Sequence, residues 1–238
     1  MEIGGERIDI LRMTIDNSTM PDFLSNRLFL TSLLAIVLLI LIAWVAARVQ
    51  LDRRSRALVV ALTDSLRGKV VVRRGPSASG FIGVLEPAPD PFVQFDVNYR
   101  TIALFDVLGH LHSLIAPSGD HLVLSGKLPT RPAAELVWRN GQIPGHALAR
   151  RERSALWVQR RLEIVDAEFA VRGANTGAIE HVFVDLQARF RPFLDEISVQ
   201  SDRDPEVTVA LRLAGLNMQE IPALVTSVRT LGRAALRS

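Results

Sequence analysis

The chain has 238 residues, 48% of them hydrophobic, a formal net charge of +3 and no cysteine. Without cysteine there are no thiolate metal sites, and a reducing compartment is compatible. So modest a positive surplus argues against nucleic acid as a partner.

Residues 1–27 carry three basic and five acidic side chains and read as a short non-cytoplasmic tail. Met13 and Met20 are alternative starts beside Met1. Asn17-Ser18-Thr19 matches a glycosylation sequon, which matters only in a eukaryotic secretory setting.

From Leu28 to Ala47 there are 20 residues without a charge, 13 of them Leu, Ile, Val or Phe. As a helix they rise about 30 Å, the thickness of a bilayer's hydrocarbon core. Their large apolar side chains together favour insertion by about 4–8 kcal/mol, as an upper bound. A cleaved export signal has a basic start, an apolar run of roughly 7–15 residues and a small-x-small cleavage site. Here the run is longer, follows five acidic residues, and ends against Trp44 and Arg48. The stretch therefore reads as a transmembrane helix, residues 28–47, that is not cleaved.

Arg12 and Arg27 lie within 20 residues before this run, and Arg48, Arg53, Arg54, Arg56 and Arg67 within 20 after it. Cations stay on the cytoplasmic side. The expected orientation has the N-terminus outside and the C-terminal bulk in the cytoplasm. Arg48, Arg53, Arg54 and Arg56 are the candidate membrane-surface contacts, since a cation near an anionic leaflet gains about 1 kcal/mol. Residues 48–68 continue as a juxtamembrane helix with Leu51, Leu58, Val59, Leu62 and Leu66 on one face and Gly68 as its stop. So narrow a stripe suits packing on the chain's own domain better than a lipid or partner surface.

Residues 69–238 are expected to fold alone as a cytoplasmic α+β domain, with a subdivision allowed near residue 150. KVVVRR, FIGVLEP and FVQFDVNYR, separated by GPSASG and APDP, form a strand meander. Leu104, Val107, Leu108, Leu111, Leu114 and Ile115 have helical spacing over 101–116. HLVLSGKLP is a strand, and two short strands are expected around Asn140-Gly141. ALWVQRRLEIVDAEFAVRG supplies one or two more. Ile179, Val182, Phe183, Leu186, Phe190 and Leu194 mark one face of an amphipathic helix, with Asn175 or Thr176 as N-cap. ISVQS and EVTVALRL are strands joined by DRDP, and IPALVTSVRTLGRAALR closes as a helix with Pro222 in its first turn. Strand periods of two throughout argue for a largely antiparallel sheet.

The motifs that carry chemistry are weak. Gly173 and Gly177 flank a loop before a helix, but lack dinucleotide or Walker spacing. LSGKLP has Leu128 where a phosphate loop needs Ser or Thr. His110, His112 and His121, with Asp120 near by, would begin a metal site only if they converged; no metal or other cofactor is assigned. GPSASG lacks the G-x-S-x-G pattern, and Asp166 with Glu168 is one of many carboxylate pairs. Arg150, Arg151, Arg153, Arg160 and Arg161 surround Trp157, itself read as a core residue; Arg229, Arg233 and Arg237 line the last helix. Both groups read as solvated faces. No catalytic residue is assigned, so the sequence describes a single-pass membrane protein that binds or scaffolds at the inner membrane surface. Its partners are the bilayer, anionic lipid and a protein partner. The alternative is a membrane-tethered enzyme whose site assembles from dispersed residues.

Overall fold

A computed structural model describes residues 27–66, 68–77, 80–101, 120–141, 157–163 and 167–237. Helix α1 (Arg27–Leu66) runs unbroken for 40 residues, because no Gly or Pro interrupts it. The chain divides into two units after Ala43. In the first, the large apolar side chains of α1 are open to their surroundings, with Leu34 70% and Leu39 66% exposed. The second, Trp44–Ser238, contains the rest of α1 and all that follows.

In that second unit, α1 buries Leu51, Ser55, Leu58 and Leu62, a repeat of four, three and four residues that keeps one face inward. Leu58 and Leu62 join the main core, Val59 packs against it half-buried, and the Leu66 side chain lies outside the described residues. The leucine face is thus turned onto the chain's own domain.

Among the described residues nine strands follow: β1 (Lys69–Ser77), β2 (Gly80–Glu86), β3 (Gln94–Arg100), β4 (His121–Lys127), β5 (Ala134–Arg139), β6 (Val158–Leu162), β7 (Ala167–Gly173), β8 (Leu194–Val199) and β9 (Val207–Arg212). They form one sheet in the order β1-β2-β3-β4-β9-β8-β5-β7-β6, with every pair antiparallel. The fold is α+β around a large antiparallel sheet, as the strand periods implied.

Alternation separates two faces. Phe95, Val97 and Tyr99 on β3, Leu122 and Leu124 on β4, and Val207, Val209 and Leu211 on β9 are buried. They form one core with the apolar stripes of helices α2 (Gly177–Phe190) and α3 (Ile221–Leu236). The opposite face carries the polar partners in the alternation. Between β2 and β3, Phe92 is wedged where only glycine leaves room: a Cβ at Gly126 would lie 2.4 Å from its ring, and one at Gly232 2.7 Å.

One expectation needs correcting, and two others gain detail. Helix α2 ends at Phe190, and Leu194 opens β8 instead of extending the helical stripe, since Pro192 has no N–H to continue the ladder. Thr176 is the N-cap by position but makes no side-chain capping bond; its carbonyl accepts from the Glu180 amide at 2.9 Å. The first of the two strands expected around Asn140-Gly141 is β5, with β7 on one side and β8 on the other. The helix expected over 101–116 lies outside the described residues apart from Thr101, and the strand expected after Gly141 lies wholly outside them.

Candidate functional site

The four juxtamembrane arginines are all exposed, yet they have different surroundings. The Arg48 guanidinium stands 5.2 Å from the centre of the Trp44 ring. Arg56 pairs with Asp52 one turn away at 2.8 Å. Arg54 reaches Asp120 at 3.6 Å. Arg53 has no carboxylate partner among the described residues. The helix spreads these cations along two turns.

Asp120, read from the sequence beside three histidines, has another role. The Tyr99 hydroxyl donates to its Oδ2 at 3.0 Å and the Thr101 hydroxyl to its Oδ1 at 2.5 Å. Arg54 completes a clasp that ties α1 to β3 and the start of β4. Tyr99 is only 1% exposed. Burial first, then the adjacent Asp120 charge, push its phenol well above the ordinary value of 10.0, because both disfavour a phenolate. This clasp was missed in the sequence. The available signal was Tyr99 alternating with Phe95 and Val97, which turns a phenol inward and requires a polar partner.

On the face away from α2 and α3, carboxylates and guanidinium groups neutralise one another. Asp195 lies between Arg212 at 2.8 Å and His121 Nδ1 at 3.4 Å. Glu196 accepts from Arg139 at 3.1 Å and Arg203 at 3.3 Å. Glu135 accepts from Arg172 Nε at 3.0 Å and from Ser201 at 2.6 Å. Arg172 in turn stacks 4.8 Å from the Trp157 ring centre. Trp157 rests on Val137 and Ala170, a small cluster apart from the main core, so its surroundings are more polar than expected of a core tryptophan. Among the described residues these are compensated charges.

The other sequence candidates are also accounted for. His110, His112, Arg150, Arg151, Arg153 and Asp166 lie outside the described residues. No group of three or more potential metal ligands occurs among the described residues. Lys127 pairs with Asp204 at 2.9 Å, and that hydrogen bond and charge raise its pKa. Gly173 has φ +128°, where a Cβ would come 2.4 Å from the Ala133 carbonyl oxygen, so the close approach of β5 explains this glycine. Arg160 pairs with Glu180 at 2.7 Å. Arg229 and Arg233 donate to the carbonyl and carboxylate of Asp90 at 2.9 Å each and hold α3 to the β2–β3 connection.

One depression has a different character. It lies where β1, β2 and β3 approach Thr101, holds about 240 Å³, and presents Arg74, Ile82, Asn98 and Arg100 above Gly80. Its polar groups are cationic or neutral, and Arg74 and Arg100 have no carboxylate partner among the described residues.

No protein-family model matches this chain, and none of the curated proteins is similar to it.

Proposed function

We propose that the protein is a single-pass membrane protein whose sheet-bearing domain works by binding or scaffolding at the inner membrane surface. The observation that carries this reading is the exposure of the apolar half of α1. A 20-residue run of this composition, with the side chains of residues 29–46 exposed, needs an apolar medium from outside the chain, and a bilayer core has the matching thickness. The excess of arginine after the run puts the domain in the cytoplasm and the tail outside. Confinement to a plane then raises the domain's effective concentration for anything else held there. Among the described residues Arg48 and Arg53 have no carboxylate partner and can meet anionic headgroups, while Arg54 and Arg56 divide their charge with Asp120 and Asp52.

Two measurements test this reading. The full chain should stay with membranes through alkaline carbonate washing. A reporter fused after Ser238 should be active only when it is of the kind that needs the cytoplasm. Release by carbonate would overturn the anchor, and activity of an exported reporter would overturn the orientation.

A further inference from the structure

We propose that the depression at the end of β1, β2 and β3 is a binding site for a phosphate-bearing anion that also carries a hydroxyl group. Arg74 and Arg100 would hold the phosphate and Asn98 the hydroxyl. This deepens the binding reading above by naming a ligand class, and rests on it only for where that ligand comes from.

Strand register assembles the site. Arg74 lies opposite Ile82, Ile82 opposite Asn98, and Gly80 opposite both Ser77 and Arg100. Directly opposed residues share a face, as do residues two apart on one strand. Arg74, Ile82, Asn98 and Arg100 therefore project to the same side, with guanidinium groups arriving from two different strands. Between them the floor is open because residue 80 is glycine. Its φ is +108°, and a Cβ there would lie 2.0 Å from the Tyr99 carbonyl oxygen.

The charges point to an anion. Elsewhere on this face Arg139, Arg172, Arg203 and Arg212 each have a carboxylate within 3.3 Å. Arg74 and Arg100 have none among the described residues, which leaves two exposed cations beside one concavity. The nearest carboxylate along β3 is Asp96, which accepts from Gln94 at 2.7 Å and does not line the depression. Two guanidinium side chains lining one depression without a carboxylate partner among the described residues suit the oxygens of a phosphate.

The amide of Asn98 adds the second requirement. Its Oδ1 is shielded from solvent and has no donor, a condition that costs free energy unless a partner arrives. A bare phosphate at neutral pH offers mainly acceptors. A hydroxyl both donates and accepts, so it can pair with whichever end of this amide is turned to the depression. A phosphate ester of a polyol has both groups. A phosphoglycerol lipid headgroup and a soluble sugar or glycerol phosphate share this chemistry.

The test uses the full chain in phosphatidylcholine nanodiscs, titrated with glycerol 3-phosphate and with inorganic phosphate and followed by phosphorus NMR. Saturable binding of glycerol 3-phosphate is expected, weakened roughly tenfold or more when Arg74→Gln and Arg100→Gln are combined. Asn98→Ala should weaken glycerol 3-phosphate while leaving inorganic phosphate unchanged. Replacing about a third of the lipid by phosphatidylglycerol should compete with the added ester if the headgroup is the occupant. Phosphatidylserine at the same charge should compete less; equal effects of the two lipids mean a soluble ester is the ligand. Circular dichroism confirms that each variant is folded, which exposed and unpaired side chains allow. The site is overturned if the native chain shows no saturable binding, if the double arginine variant binds as well as the native chain, or if Asn98→Ala affects both probes alike. Carbonate washing of the same preparations separates the two claims. Binding by a chain that washes off keeps the site and sinks the anchor; a chain that stays without binding does the reverse.

Discussion

Tyr99 is the chain's single tyrosine, so its ionisation can be followed without interference. Its folded pKa is raised above 10.0, so the neutral buried phenol contributes stability that is fully present below pH 10 and lost as pH rises beyond it. The tyrosinate absorption band should therefore be absent from the folded chain just above pH 10 and should grow in step with alkaline unfolding. A band rising at the ordinary pH while circular dichroism is unchanged would show that the ring is not enclosed. Asp120→Ala should cost about 1–3 kcal/mol in denaturant unfolding, since the Tyr99 and Thr101 hydroxyls lose their acceptor. The sequence shows that Tyr99 faces inward, through its alternation with Val97. It does not show Asp120 as its partner, because the two lie 21 positions apart and meet only through the register that sets Arg100 opposite His121. Reading Asp120 by its neighbours in sequence put it with the histidines instead.

At the scale of elements, period was the reliable signal and termination was not. The leucine stripe of α1 and the apolar face of α2 were both visible, because one buried side of a helix repeats every three or four residues. Extending the α2 stripe to Leu194 failed because apolar residues at strand and helix spacing coincide there, and Pro192 decides between them. The wedge of Phe92 was invisible for a different reason. Gly126 and Gly232 look like weak points in a strand and a helix until the ring that occupies their missing side chains is known. Leu58→Ala and Leu62→Ala should each destabilise the domain by about 2–5 kcal/mol, and Phe92→Ala by about 3–5 kcal/mol, in urea unfolding. A cost below 1 kcal/mol for either leucine would show that α1 does not belong to the core.

For the whole molecule, the burial of Leu58 and Leu62 bears on where the folding unit starts. The expectation was a domain that folds alone from residue 69. The sheet-bearing unit begins at Trp44, and a cut at 69 removes two leucines that are fully buried. A fragment of residues 44–238 should unfold in one cooperative transition, and a fragment of 69–238 should unfold at clearly lower urea or not cooperatively at all. Equal midpoints would mean that the helix only leans on the domain. The class of fold was legible because alternating strands leave few other arrangements. Strand order was not, since β9 lies between β4 and β8 through pairings that no local pattern encodes.

The sheet also stays open. Among the described residues its ends are β1 and β6, two strands each with one side unmatched. Such margins invite lateral joining of copies. Both ends are poor templates for that joining. Strand β1 breaks its register twice, around Arg74, and β6 is only five residues long and bears Arg160 and Arg161. Irregularity on one side and like charge on the other let each molecule keep its sheet to itself.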